Sequence, residues 1–414
     1  MNSMTHLRHL FSIVFFIIFL PACSVIKEVK QELAVADSLS VISGRVVIDN
    51  TKPLDTVYVL LMKKADDFDL ILINQTTVDA NGDYKFAVPP GEYFLVAYYD
   101  NNGDKTYQSD TEMAAYYGQT SGPPAMLNIT KAQSYLAQPL HITGTLIDSG
   151  DYSVTVDLPN SNIAAGRVVK VNDPVFSRKN ALLGMIRPIE FVQTVGGGIY
   201  LFEEYDPNKI PVIFIHGIGG SISNWESIIS NLDATKYQAV GVYYASGFRL
   251  DLISDFILNG VNQLQSKFGF SEFYVVAHSM GGLVSRSFIR KYLAAPRTAR
   301  IGLYSTINSP MLGMDSANSG VKYSPIIIPS WRDVAAGSEF IQNIMAWDLP
   351  EDIPYYLFFT YESGSGDDGV VSLESQIPLK LQQEATKMFG LTGSHAGVLA
   401  DPVFIEQFNK TLLR

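Results

Sequence analysis

Downstream of about residue 168, apolar residues cluster in short, nearly unbroken runs separated by longer stretches with an apolar residue at every third or fourth place. The runs Ile210–Ile215, Ala239–Tyr244, Phe273–Val276, Gly302–Thr306 and Tyr355–Thr360 predict strands covered on both faces, the pattern of a parallel sheet. Between them, helical spacing predicts helices near 223–232, 250–268 and 280–293. In the last, Met280, Val284, Phe288 and Tyr292 recur every fourth residue and form one apolar stripe. Strands alternating with helices predict an α/β domain: a mostly parallel sheet with helices on both faces.

The preceding hundred or so residues follow a different period. Runs such as Ser43–Ile48, Val57–Leu61 and Tyr93–Tyr98 are separated by Asp-Asn, Asn-Gly and Pro-Pro-Gly turns, which predicts an all-β sandwich over 41–145. The stretch DANGDYKFAVPPGEYFLVAYYD resembles prealbumin-like and carboxypeptidase-regulatory modules, and that resemblance implies a spacer or binding platform. Residues 146–189 read as a connecting segment, 190–414 as the catalytic domain, and 23–40, polar and helix-prone, as a tether.

Composition narrows the picture. The 414 residues are 47% hydrophobic and 17% charged with a formal net charge of −11, so the chain lacks the clustered cations that nucleic-acid binding requires. Its one cysteine, Cys23, rules out an intrachain disulfide. Cys23 follows a weakly basic head and an apolar run, Leu10–Leu20. As a helix that run rises about 16 Å, too little to cross a hydrocarbon core of roughly 30 Å, so 1–22 read as a signal peptide. Leu20-Pro21-Ala22-Cys23 resembles a bacterial lipobox. The resemblance implies export, lipidation of Cys23 and a membrane anchor; Ser24 beside it fits outer-membrane sorting in an organism with two membranes.

The candidate chemistry centres on VVAHSMGGL, residues 275–283, where a buried strand ends in a small residue, a serine follows, and two glycines open a helix. A serine hydroxyl is nearly inert at neutral pH unless a positioned base takes its proton. Three further segments stand in suggestive order: HGIGG at 216–220, DDGVV at 367–371 and GSH at 393–395. Together the four resemble the serine α/β-hydrolases of the lipase and esterase kind, over roughly residues 190–414. One departure is Ala277, where the usual Gly-x-Ser-x-Gly has its first glycine.

That resemblance implies an α/β-hydrolase fold and assigns roles. Ser279 is the nucleophile, and its partners follow in the order acid, then histidine. Of the six histidines (His6, His9, His141, His216, His278 and His395), only His395 lies beyond Ser279, which makes it the base. Order alone admits Asp315, Asp333, Asp348, Glu351, Asp352 or Glu362 as the acid. The glycine-bracketed pair Asp367-Asp368, just past a predicted strand, has the best context; Asp368 is preferred and Asp367 is its rival. Ile218 and Met280 supply backbone N–H groups to an oxyanion hole. His216 and His278 are left as structural.

The insertion from Ile307 to Trp347 mixes glycines with Met311, Met314, Tyr323, Ile326, Ile327, Ile328 and Trp331, which reads either as a lid with an acyl-binding surface or as the core of a cap. The leading substrate is a carboxylic ester with a medium or long acyl chain. Acyl transfer or amide cleavage by the same residues, and a non-catalytic surface-binding lipoprotein, are the alternatives. This chemistry needs no metal and no organic cofactor. The acidic loop Asp100–Asp104 with Asp110 and Glu112 offers oxygen ligands for Ca²⁺, but its glycine is not where an EF-hand needs one, and it reads as a solvated turn.

Overall fold

The structure, a computed structural model, describes residues 24–49, 52–64, 70–79, 81–104, 107–108, 111–118, 124–130, 134–145, 154–155, 164–295 and 299–413. Residues 1–22, read from sequence as a signal peptide, lie outside the described residues, as do Cys23 and Asp110. No helix among those described is long and apolar enough to cross a membrane.

The chain begins with a helix, α1, over residues 24–37. The segment read as a tether is therefore folded, and it is docked. Val29, Leu33 and Ala36 fall at helical spacing on one face and are 7%, 3% and 1% exposed. Burying the Val and Leu side chains contributes roughly 1.5–3 kcal/mol each. Glu32 pairs with Arg187, and Asp37 with Arg249 and Arg332.

Two sheets follow. One pairs β1 (Ser40–Val47) with β4 (Asp83–Val88), β8 (Ser134–Leu136) and β9 (Leu140–His141). The larger runs β10-β6-β5-β2-β3-β11, with β2 at Val57–Lys64, β3 at Leu70–Thr77, β5 at Gly91–Tyr99 and β6 at Met113–Tyr116; β7 (Leu127–Ile129) joins β5, and β10 (Gly144–Thr145) and β11 (Val154–Thr155) close the edges. Strand alternation sends Ile42, Val57, Val59, Leu61, Phe86 and Leu95 into one shared core, the packing of a sandwich. The sandwich meets the second unit through Lys85, whose Nζ lies 2.6 Å from Asp255 Oδ1.

The second unit is built on an eight-stranded sheet in the order β12-β13-β15-β14-β16-β17-β18-β19. Its strands are β12 (Ala164–Val168), β13 (Gly198–Leu201), β14 (Ile210–Ile215), β15 (Tyr237–Tyr243), β16 (Glu272–His278), β17 (Arg300–Ile307), β18 (Tyr355–Tyr361) and β19 (Lys387–Thr392). All neighbours are parallel except β13 and β15. Every residue of β15 is buried, as are six of the seven in β16, because helices cover both faces. The five strands expected from sequence are present; Ile210–Ile215 has the expected limits, Ala239–Tyr244 starts two residues earlier and ends one earlier, and the others are longer. β12, β13 and β19 extend the sheet beyond them.

The helices are α2 (Arg178–Ile186), α3 (Pro188–Thr194), α4 (Glu226–Ile229), α5 (Leu250–Phe268), α6 (Met280–Leu293), α7 (Asp315–Tyr323), α8 (Pro329–Val334), α9 (Glu339–Ala346), α10 (Leu373–Gln376), α11 (Leu379–Glu384) and α12 (Pro402–Leu412). α5 and α6 have the predicted limits, and the stripe Met280, Val284, Phe288, Tyr292 is at most 1% exposed. β12 and α2 fall inside the stretch read as a connector. β12 hydrogen-bonds along β13, and α2 packs Gly184 against Phe191 and Ala245, so this unit begins near residue 164. α6 also carries Arg286, which is fully buried; its guanidinium grips Glu384 at 2.8 Å and the carbonyls of Ile344 and Trp347. It thereby ties α9 and α11 to the sheet.

Candidate active site

β16 delivers the serine. Ser279 follows its last residue with φ 56° and ψ −132°, a conformation that costs a non-glycine residue roughly 1–3 kcal/mol and must be imposed by its surroundings. The surroundings do so. Ser279 N donates to Ile307 O at 2.9 Å, and the Ser279 carbonyl accepts Gly282 N at 2.9 Å. The bend also presses α6 against β14: a Cβ on Gly281 would stand 2.4 Å from Ile215 O, so only glycine fits. Ala277, two residues earlier on β16, buries its methyl in the main core.

An imidazole arrives from the far end of the chain. His395, on the loop after β19, accepts the Ser279 hydroxyl at Nε2 (2.8 Å) and donates from Nδ1 to Asp368 Oδ2 (2.7 Å). Asp368 has no exposed side-chain surface; its other oxygen accepts the backbone N–H groups of Val370 and Val371 at 3.0 and 2.7 Å. Those bonds fix the carboxylate's direction. Its neighbour Asp367 points elsewhere, accepting Gly369 N at 3.0 Å near solvent. Of the pair, Asp368 is the one that reaches the imidazole.

Around the serine, Gly217 lies so close that a Cβ there would stand 2.8 Å from Ser279 Cβ. Gly219 N is used up by Ser246 Oγ at 2.9 Å, whereas the Ile218 N–H donates to no group among the described residues. Met280 is the first residue of α6, so its N–H has no intrahelical acceptor. Both are available to an anion at Ser279, at the positive end of a helix dipole.

The other two histidines of this unit, His216 and His278, are buried and neutral. Burial pushes His216 down to about 4; its Nδ1 donates to Gly217 O at 2.8 Å and its ring stacks on Tyr244. Burial first, and then the facing His395, push His278 down to about 3. His278 is more than filler. Its Nε2 donates to the carbonyl of His395 at 2.8 Å.

That carbonyl has a second donor, which sequence reasoning missed: Asn308 Nδ2, at 3.0 Å. Asn308 is fully buried with φ 50°, and the same amide nitrogen donates to Thr360 Oγ1 at 2.7 Å. Gln376 was missed too; its Nε2 holds the carbonyls of Thr360 and Val371, at 3.0 Å each, bracing the acid loop against β18. Only the polar residue immediately after an apolar strand, Asn308, left a trace in the sequence.

In the insertion, Met311 is fully buried and Ile328 nearly so, while Trp331 lies against Gly320. Met311 belongs to the main core of the sheet, against which Met314 and Trp331 pack, and Tyr323 is 73% exposed. In the sandwich loop, Asp100 accepts Gly103 N at 2.7 Å, and Glu112 accepts Asn101 N and Gln108 N at 3.2 and 3.0 Å. Among the described residues, no group of three His, Cys, Asp or Glu is placed to share a metal ion.

A family model for the α/β-hydrolase fold matches residues 210–324, the stretch carrying β14 to β17, Ile218 and Ser279. The fold is that of the α/β-hydrolases. Among solved structures, the mature Bacillus licheniformis lipase BlEst2 is 17% identical, aligned over 51% of this chain and 94% of its own, with a TM-score of 0.41. The lin2722 gene product of Listeria innocua is also 17% identical, over 50% and 94%, with a TM-score of 0.40. Aspergillus fumigatus lipase B is 16% identical over 52% and 56%, with a TM-score of 0.41. No curated protein matches the chain.

Proposed function

We propose that this α/β-hydrolase is a serine ester hydrolase, exported and held at a membrane through a lipidated Cys23, and that it cleaves carboxylic esters of lipidic alcohols or acids. The observation that carries the reading is the unbroken chain Ser279 Oγ, His395, Asp368 with links of 2.8 and 2.7 Å. As the substrate carbonyl enters, His395 takes the Ser279 proton and Oγ attacks the carbonyl carbon. Asp368 holds the imidazole in the tautomer with Nε2 free and stabilises the imidazolium that forms. The negative oxygen is received by the N–H groups of Ile218 and Met280, a contribution of about 10²–10³ in rate per donor. His395 then protonates the departing alcohol, and water, deprotonated by the same residue, releases the acid from the acyl-enzyme.

Preference for an apolar acyl group is supported by the wall of the site. Met185, on α2, lies against Gly219 in the oxyanion turn, with Leu182 and Ile186 exposed beside it and Ile218 half open to solvent. Hydrolysis of p-nitrophenyl esters from acetate to palmitate tests this. Rates rising to a maximum at or beyond octanoate support the reading. Rates negligible at every length would point to an acyl acceptor other than water or to an amide.

A further inference from the structure

We propose that α1 is a rigid stub that lays the hydrolase unit on the bilayer with α2 and the oxyanion turn facing the lipid. The inference rests on lipidation of Cys23 and adds an orientation to it. Were residues 24–40 a slack tether, their ends would wander roughly 20–25 Å apart and leave the active site free to face any direction. The segment is instead clamped at two places. Glu32 accepts Arg187 Nε at 2.9 Å and the backbone N–H groups of Ile189 and Glu190 at 2.9 and 3.0 Å, where α2 meets α3. Asp37 binds Arg249 Nη1 at 3.3 Å and Arg332 Nε at 3.0 Å.

Connectivity then places the anchor. Cys23 directly precedes α1, and Glu32 is the ninth residue of that helix, a rise of about 14 Å. A lipid on Cys23 therefore enters the bilayer within about that distance of the α2–α3 junction. The surface there suits lipid. Val25 and Ile26, in the first turn of α1, are 54% and 45% exposed, and Leu182 and Ile186, one turn apart on α2, are 38% exposed each. Lys27, Lys30, Arg178 and Lys179 stand exposed on the same two helices, cations in a chain of net charge −11 that complement anionic headgroups. Met185, between Leu182 and Ile186, touches the oxyanion turn, so this face borders the route to Ser279. The occupant is the bilayer that holds the anchor.

The lone native cysteine makes the test direct, since acylation blocks it and an introduced thiol is unique. Full-length acylated protein carrying Ile186→Cys or Leu379→Cys is labelled with bimane and bound to vesicles of phosphatidylethanolamine and phosphatidylglycerol that contain a spin-labelled lipid. Leu379 is 68% exposed on α11, next to the opposite edge of the sheet. The label at 186 is expected to be quenched severalfold more than the label at 379. Adding Glu32→Gln with Asp37→Asn should bring the two together while the protein still floats with the vesicles. Equal quenching before those changes, or an unchanged difference after them, overturns the inference. A chain with no acyl mass on Cys23 and no flotation is a distinct result, which removes the anchor and this orientation with it.

Discussion

Asn308 donates its side-chain amide to the backbone carbonyl of His395 across 3.0 Å, from a buried position with φ 50°. With His278 on the same carbonyl, and Asp368 O accepting His395 N at 2.8 Å, the histidine loop is held by its backbone at both ends. Asn308 acts through His395 and does not itself touch the reacting atoms.

Asn308→Gly keeps the left-handed backbone and deletes the amide, whereas Asn308→Ala loses both. We expect kcat to fall roughly 10- to 100-fold in each, since small misplacements of a catalytic group cost that much. KM should stay within about twofold. Steady-state kinetics on one p-nitrophenyl ester decides it; full activity in the glycine variant would mean that the backbone, not the amide, matters.

The acid pair separates cleanly. Asp368→Asn should lower kcat by about 10⁴, because the amide favours the wrong imidazole tautomer. Asp367→Asn, whose amide oxygen still accepts Gly369 N, should remain within a few-fold of the parent. Equal losses in the two variants contradict the assignment.

Arg286 is a stability prediction. Removing it leaves Glu384 with only the Leu349 N–H at 3.2 Å and the Lys380 ammonium at 3.6 Å, and breaking a buried pair costs up to about 3–5 kcal/mol. Arg286→Met should therefore lower the urea midpoint sharply, and Arg286→Met with Glu384→Leu should recover most of the loss. No recovery in the double variant would show that the carbonyls of Ile344 and Trp347 carry the effect.

Acid should weaken the fold through two histidines. His216 and His278 titrate at about 4 and 3 when folded, against 6.5 for an unperturbed imidazole, so between these values the unfolded chain binds more protons. Their contribution to stability is complete above pH 6.5 and is lost as pH falls towards 4 and then 3, with a slope of up to about 1.4 kcal/mol per pH unit for each. Urea unfolding between pH 7.5 and 4.5 measures that slope. His216→Asn should flatten it, and an unchanged slope would contradict the burial argument.

The middle of the sheet and the two long helices were legible because burial on both faces writes unbroken apolar runs, and because α6 packs one stripe inward. β19 was not: Lys387–Thr392 is a half-exposed edge strand with a central glycine, and nothing in KMFGLT distinguishes it from a loop. β13 is only four residues long. The helix of α1 was expected but its docking was not, because Val29, Leu33 and Ala36 become a docking face only when their partners are known. Within the site, Ser279 and Asp368 were nameable from their glycine-rich settings and the resemblance these carry, and His395 because no other histidine follows Ser279. His278 and Gln376 bond to carbonyls of distant segments, which leave no mark in a sequence, and Asn308 left only a polar side chain after an apolar strand.

The most direct test of the account is covalent trapping of the serine. Reaction with a fluorophosphonate, followed by peptide mass analysis, should place one phosphonyl group on Ser279, with labelling abolished in Ser279→Ala and lowered by orders of magnitude in His395→Ala. An unlabelled parent protein, or a label on another residue, would contradict it.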